Sequence, residues 1–294
     1  MKPAPFEYFC PDEIGDAVEL LSRHGEDGKI LAGGQSLMPL MNLRLARPRV
    51  VVDINHLTAL DYISRGAGDE LTIGALTRQR SLEQSMVVKN LNPLLAATMP
   101  LIGHFQIRNR GTIGGSLAHA DPAAELPAVS LALDVEFVVT SAAGERRIPA
   151  PEFFLGYLTT AIEPTELLTE IRFPGWRPGS RWAIEEVARR RGDFAIVGVV
   201  VLLQLNATGL CELARVALFG VGDRPVRMYR GEEILLGNRP EPNIFKDVAQ
   251  AVAEELDPIS DVHASQEYRK EVGAFLTRKA LQTALARAGE AASQ

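Results

Sequence analysis

The chain has 294 residues, and at ~150 residues per domain this length predicts two domains. Hydrophobic residues make up 46% and charged residues 23%, a composition that is typical of globular proteins and argues against intrinsic disorder. The net charge of −6 provides no basic stripe that could bind nucleic acid.

Cysteine content and hydropathy exclude further classes. The two cysteines, Cys10 and Cys211, cannot ligate an iron–sulfur cluster, which usually takes about four, and they fit a reducing compartment. The longest apolar run covers residues 195–203, whereas a membrane helix needs about 20 residues. The histidines show no paired metal spacing. We therefore expect a cytoplasmic protein without a transmembrane segment or a metal site.

The N-terminal residues, about 1–56, predict one α/β unit. Residues 12–24 form an amphipathic helix by periodicity, and residues 29–32 and 49–54 are apolar strands. Between the strands, Gly33-Gly34 breaks the chain and Ser36 can cap a short helix.

The remaining residues predict a second subdomain, about 57–176, and a C-terminal domain, 177–294. The second subdomain has predicted strands at residues 71–73 and 166–173 and predicted helices at 77–86 and 93–102. A glycine-rich loop follows at 111–116, then a helix that is opened by Asp121-Pro122 and ends near residue 133, and then a hairpin at 135–148. A linker at 173–179 contains two Pro and two Gly. Beyond it, three strands (181–189, 195–205 and 212–219) precede two helices (243–256 and 265–288). The pattern indicates an α+β fold.

Two double-glycine segments are the most informative feature. Residues 32–36 and residues 112–116 each place two glycines where the chain turns and follow them closely with a serine. Glycine permits positive φ, and successive N–H groups in such turns form concave nests for anions. Two facing nests would suit a diphosphate. Each segment, taken alone, is equally explained as an ordinary tight turn.

Longer stretches around these segments resemble one family. Residues 30–48, 71–75, 110–127 and 189–195 are similar to the FAD-binding medium subunit of molybdenum hydroxylases, the xanthine dehydrogenase and carbon monoxide dehydrogenase medium-subunit family. The resemblance covers nearly the whole chain. It implies a PCMH-type FAD-binding domain of two α/β subdomains, followed by a C-terminal domain with a three-stranded antiparallel sheet and helices.

The resemblance also implies a set of cofactor-binding residues. They would hold the diphosphate, the ribityl chain and the flavin ring of a noncovalently bound FAD, and they are Leu31, Ala32, Gly33, Gly34, Gln35, Ser36, Leu37, Ile102, Ile107, Gly111, Thr112, Ile113, Gly114, Gly115, Ser116, Asp121, Glu125, Leu168 and Phe194. The family often has Asn at the position of Ser116 and Tyr at the position of Phe194. No catalytic side chain is implied.

Several of these residues have simpler structural explanations. Asp121 can serve as a helix cap, Glu125 as a solvated surface carboxylate, and Phe194 as a core residue at the start of a strand. Ile102 and Ile107 are typical core residues by residue type.

The function implied by the resemblance is electron transfer. A large subunit would carry the molybdenum cofactor, a small subunit two [2Fe–2S] clusters, and the FAD of this chain would pass electrons to an external acceptor, with a heterohexamer as the expected assembly. Two alternatives stay open: a stand-alone FAD-dependent oxidase or dehydrogenase, and a non-catalytic assembly subunit.

Overall fold

The computed structural model describes the backbone of residues 2–291 and the side chains of residues 2–287. The strands are β1 (Glu7–Phe9), β2 (Gly28–Leu31), β3 (Val50–Asp53), β4 (Ile63–Arg65), β5 (Leu71–Gly74), β6 (Glu136–Ser141), β7 (Gly144–Pro149), β8 (Phe154–Gly156), β9 (Thr159–Thr160), β10 (Leu167–Phe173), β11 (Arg181–Ala188), β12 (Ala195–Leu205), β13 (Cys211–Phe219) and β14 (Val226–Arg227).

The α-helices alternate with these strands in the N-terminal part and follow them at the end of the chain. They are α1 (Ile14–His24), α2 (Leu37–Asn42), α3 (Gln79–Gln84), α4 (Met86–Leu91), α5 (Pro93–Thr98), α6 (Phe105–Arg110), α7 (Ile113–His119), α8 (Glu125–Ala132), α9 (Ala150–Phe153), α10 (Tyr229–Leu235), α11 (Pro242–Glu255) and α12 (Gln266–Ala291). Among the described residues, no helix is long and apolar enough to span a bilayer.

The first layer is a three-stranded parallel sheet in the order β1-β3-β2. Helix α1 buries Ala17, Val18 and Leu21 in the same core as Val50 and Val52 of the central strand. This confirms the predicted helix and both predicted strands. The three-residue strand β1 was not predicted, because so short a segment shows no clear alternation of apolar and polar residues.

The second layer is a five-stranded antiparallel sheet in the order β4-β5-β10-β6-β7, which shares a hydrophobic core with helices α3, α4, α5, α7 and α8. Its core contains the ring of Phe137 stacked on that of Phe153 at 3.8 Å, with Phe154 packed edge-on against both. A bulge between Leu168 and Glu170 interrupts the pairing of β10 with β6.

The C-terminal sheet has the order β11-β12-β13-β14 and is antiparallel throughout. Its three long strands and helices α11 and α12 confirm the prediction. The fourth strand, β14, was missed because two residues carry no readable pattern. Helix α12 covers one face of the sheet and packs on Ala183, whereas Trp182 and Ile184 face the core of the N-terminal region.

Two local predictions in the segment before α8 are wrong. The glycine-rich stretch 111–116 is not a loop, since α7 already begins at Ile113. The next helix begins at Glu125 rather than at Pro122, and Asp121 does not cap it. Instead, Asp121 Oδ1 accepts a 2.9 Å hydrogen bond from the N–H of Ala123 and stabilises the turn between the two helices.

Candidate cofactor-binding site

A cavity of about 390 Å³ opens at the carboxyl end of the parallel sheet. The sequence predicted five of its lining residues and missed four; together they are Leu31, Ala32, Gly33, Gly34, Gln35, Met38, Asp53, Asn55 and Arg110. Proteins with α/β folds commonly bind ligands at the carboxyl ends of their parallel strands. The position of this cavity is therefore the one expected for a ligand site in such a sheet.

The first glycine segment presents free donors to this cavity. Within the described part of the chain, the backbone N–H groups of residues 33–36 donate to no protein acceptor. Gly34 has a φ of +71°, which a residue with a Cβ rarely adopts. The side chain of Gln35 donates from Nε2 to the carbonyl of Gly33 at 2.9 Å and holds the turn in shape. Such a group of free N–H donors suits an anion.

The two predicted glycine segments lie against each other. A Cβ placed on Gly33 would be 2.4 Å from the carbonyl oxygen of Arg110 and 2.8 Å from Cα of Gly111. Arg78 donates from its guanidinium to the same Arg110 carbonyl and pairs through its backbone with Thr112. Backbone-to-backbone contact of this closeness requires glycine at position 33.

The second glycine segment does not form an anion nest, and that part of the prediction is wrong. The N–H groups of residues 113–115 donate in turn to the carbonyls of Thr77 and Ala75 and to Thr112 Oγ1, at 2.9–3.0 Å. A Cβ on Gly114 would lie 2.6 Å from the Ala75 carbonyl, so this glycine permits close packing. Of the two glycine segments, therefore, residues 33–36 present free N–H donors and residues 113–116 do not.

A network of polar side chains forms one wall of the cavity. Asp53 Oδ2 accepts from the Tyr8 hydroxyl at 2.7 Å, and Asp53 Oδ1 accepts from the backbone and side chain of Asn55. Asn55 also donates to the Ala32 carbonyl at 2.8 Å. Burial by itself would raise the pKa of Asp53, but the hydrogen bonds from Asn55 and Tyr8 outweigh it and lower that pKa. Asp53 is thus ionised at neutral pH.

Arg110 is the cationic residue among those that line the cavity. We expect Arg110→Gln to weaken FAD binding by about tenfold at low ionic strength, because a charge-assisted hydrogen bond to phosphate contributes about 1.5–3 kcal/mol. The difference should shrink at high ionic strength, where an exposed charge is screened. Titration of the apoprotein with FAD at two salt concentrations measures this.

Arg49→Gln is the matched control for Arg110→Gln, since Arg49 does not line the cavity and its side chain is 81% exposed. An equal loss of affinity in both variants, or no loss in Arg110→Gln, would contradict a role for Arg110 at the anion site.

The other predicted site residues lie outside this cavity. Ser36 and Leu37 continue the first segment into α2, and Gly111 and Thr112 connect α6 to α7. Ile102, just before α6, is buried, and Ile107 in α6 is partly exposed. The start of α7 is formed by Ile113, Gly114, Gly115 and Ser116, Asp121 lies in the turn after α7, and Glu125 begins α8. Leu168 is buried in β10, and Phe194 precedes β12. Their contact with a cofactor stays a prediction.

Two of the simpler structural explanations are excluded. Phe194 is 64% exposed and is not part of a core, and Glu125 is 6% exposed and is not a solvated surface group. Burial, with smaller contributions from Glu186 and Asp121, raises the pKa of Glu125 to about 8. Ser36 stands before α2 as predicted but makes no capping bond with its side chain.

Nothing in the described region resembles a metal site. In residues 2–287, no three His, Cys, Asp or Glu side chains lie close enough together to hold a metal ion. The thiols of Cys10 and Cys211 are both free.

Comparison with known families accounts for nearly the whole chain. Residues 4–176 match the FAD binding domain in molybdopterin dehydrogenase, and residues 182–284 match the CO dehydrogenase flavoprotein C-terminal domain.

Individual relatives match over almost their full length. The chain is 42% identical over 288 residues to the 6-hydroxypseudooxynicotine dehydrogenase complex subunit alpha of Paenarthrobacter nicotinovorans, covering 98% of this chain and 97% of the relative. The fold of the present chain matches a chain of carbon monoxide dehydrogenase from Hydrogenophaga pseudoflava with a TM-score of 0.94 at 38% identity. The match covers 98% of this chain and 99% of that one. A chain of quinoline 2-oxidoreductase from Pseudomonas putida 86 matches with a TM-score of 0.92 at 33% identity, covering 98% and 99%.

These matches define an oxidoreductase flavoprotein with an FAD-binding domain followed by a flavoprotein C-terminal domain. The chain belongs to the family of FAD-binding medium subunits of molybdenum hydroxylases. The cavity fits this cofactor, because the free N–H groups of residues 33–36 complement a diphosphate and the cationic residue Arg110 also lines the cavity.

Proposed function

We propose that this chain is the electron-transfer subunit of a three-subunit molybdenum hydroxylase. A small subunit with [2Fe–2S] clusters would deliver electrons to its FAD, and a large subunit with the molybdenum cofactor would oxidise the substrate. The observation that carries the proposal is the anion-binding turn of residues 33–36, set within a chain that matches medium subunits from end to end.

The chain's own residues bind and orient the cofactor. The turn at residues 33–36 and Arg110 would hold the diphosphate, and Glu125, Leu168 and Phe194 are proposed to lie along the ribityl chain and flavin ring. When bound, the flavin supplies the exchange between two-electron and one-electron carriers, and the protein sets its position and electrostatics. With no metal cluster in the described region, the iron–sulfur and molybdenum centres belong to partner subunits in this proposal.

An external acceptor would reoxidise the flavin. Phe194 is exposed, and it follows a loop with three consecutive arginines, Arg189, Arg190 and Arg191. This surface is where an acceptor would reach the cofactor. We place the complex in the cytoplasm, which agrees with two free thiols.

Native purification tests the proposal directly. We expect a yellow chain that purifies with a small cysteine-rich subunit and a large subunit, as a heterohexamer. FAD that is reduced in the complex by substrate, but not when this chain is purified alone, would support electron delivery from partners. Substrate turnover by the isolated chain would show a stand-alone enzyme, and a colourless chain without affinity for FAD would show an assembly subunit.

The FAD should be released when the chain unfolds. The proposed contacts are hydrogen bonds and one ion pair, and neither free thiol, that of Cys10 or Cys211, lines the cavity. After mild denaturation and filtration, we expect the flavin to pass through with the small molecules. Flavin that stays with the polypeptide would contradict noncovalent binding.

A further inference from the structure

A buried carboxyl group and a half-buried one interact where the C-terminal sheet packs on the FAD-binding region. Glu125 begins α8 and is 6% exposed. Glu186 lies in β11, and its Oε2 atom is buried with no hydrogen-bond partner. Glu186 contributes to the raised pKa of Glu125, so the two groups interact.

Strand alternation fixes the direction of Glu186. Ile184, two residues earlier, packs on the core of the N-terminal region, and Glu186 shares its face of β11. Glu185 points the other way, where it binds Lys279 at 2.9 Å and accepts from Thr283 at 3.0 Å. Adjacent glutamates thus occupy opposite faces, one ion-paired and one not.

Helix α7 and the turn after it connect the anion site to Glu125, and we place the pair toward the flavin end of the bound nucleotide. Helix α7 begins beside the cavity, where a Cβ on Gly115 would lie 3.6 Å from Cβ of Ala32, and its 7 residues span about 10 Å before the turn that leads to Glu125. Glu186 lies near the end of β11, just before the loop that leads to Phe194. That loop reaches the N-terminal region, since a Cβ on Gly192 would be 2.8 Å from the His104 ring.

Among the described residues, no cation forms an ion pair with Glu186, and helix α12, which also packs against β11, pairs its Lys279 with Glu185 on the opposite face. Helix α5 and strand β12, which pack against β11, contain no titratable residue, and Glu125 is the only one in α8. Asp121 also acts on Glu125, and burial lowers the pKa of nearby His119, which leaves it neutral. Burial raises the pKa of Glu186 to about 7 and that of Glu125 to about 8. Near neutral pH, the pair therefore holds between one and two protons, with Glu186 ionising first.

We propose that Glu186, with Glu125 beside it, is a proton-binding residue next to the flavin ring that takes up a proton from solvent when the bound flavin is reduced. This rests on the proposed function only in its use of bound FAD. Two electrons come from the iron–sulfur partner, or from dithionite in vitro. One proton binds the ring, and a second forms an O–H bond at Glu186, which balances the added negative charge.

The pH dependence of the flavin midpoint potential tests this proposal. Each proton taken up with two electrons contributes about 30 mV per pH unit, a tenfold change in equilibrium constant. Between about pH 7 and pH 8.5, we expect the wild-type slope to approach about 60 mV per pH unit, and the Glu186→Gln slope to be about 30 mV. Glu185→Gln is the matched control and should keep the wild-type slope.

Three results would overturn the proposal: a wild-type slope already near the single-proton value, an unchanged slope in Glu186→Gln, or the same loss in Glu185→Gln. If Glu186→Gln failed to bind FAD, infrared titration of the wild-type apoprotein would decide. It should show a buried carboxylic acid band that fades between about pH 6 and pH 8.5, and absence of that band would reject the acid pair. A wild-type chain that binds no FAD would instead refute the proposed function. The infrared test of Glu186 and Glu125 would still apply, because it uses the apoprotein.

Discussion

Gly33→Ala should reduce the affinity for FAD by more than about 100-fold, or about 2.7 kcal/mol. The added Cβ would lie 2.4 Å from the Arg110 carbonyl oxygen, and a carbonyl in the backbone cannot move aside as a flexible side chain can. Separation of the two segments would displace both the free N–H groups of residues 33–36 and Arg110 from the diphosphate. Equilibrium dialysis or flavin absorbance of the purified chain measures the loss.

Gly15→Ala is the control for this substitution. Gly15 lies in α1, where a Cβ meets nothing within 4 Å, so alanine should leave FAD binding intact and stabilise the helix slightly. Circular dichroism should show that both variants keep the fold. Full FAD occupancy in folded Gly33→Ala would refute the assignment of this turn as the diphosphate site.

Glu125→Gln should make the apoprotein more stable at high pH than the wild type. The folded-state pKa of about 8 lies above the ordinary value of 4.5, so the folded chain binds more protons than the unfolded chain between these pH values. The wild-type free energy of unfolding therefore falls as pH rises through this window. A neutral amide removes this loss, and at about pH 9 we expect a gain on the order of 3 kcal/mol.

Urea unfolding at about pH 5 and about pH 9 measures this change, with a small difference expected at the lower pH. Glu152→Gln, at an exposed position, is the control and should behave like the wild type at both. A Glu125→Gln variant with wild-type stability at the higher pH would show that this carboxyl is not held protonated by burial.

Much of the fold was readable from the sequence because its elements have clear periodic patterns. Helix α1 and strands β12 and β13 match their predicted bounds closely, since a buried face repeats along α1 and apolar runs mark β12 and β13. Short elements such as β1, β4 and β14 were missed. Two or three residues show no period, and such strands form only because a neighbouring strand supplies their hydrogen bonds.

The candidate site also contains residues that the sequence predicted and residues that it did not. The resemblance predicted Leu31, Ala32, Gly33, Gly34 and Gln35 as cofactor-binding residues, and the structure places all five along the cavity. It gave no sign of Asp53, Asn55 or Arg110. Yet Asp53 and Asn55 stand at the end of a predicted strand, and the parallel pairing of β2 with β3 brings that end beside the glycine turn. Strand order, had it been known, would have indicated them.

The sequence by itself determined the class of this protein: two glycine segments in their family context, too few cysteines for a cluster, and an α+β order of elements. Only the tertiary structure decided which glycines present free N–H groups and which carboxyl groups are desolvated by burial. Both depend on partners distant in the chain, because Gly114 is engaged by Ala75 and Glu125 is buried beside Glu186. A local pattern specifies a turn or a charge, but long-range packing decides whether that turn can bind an anion and whether that carboxyl keeps its proton.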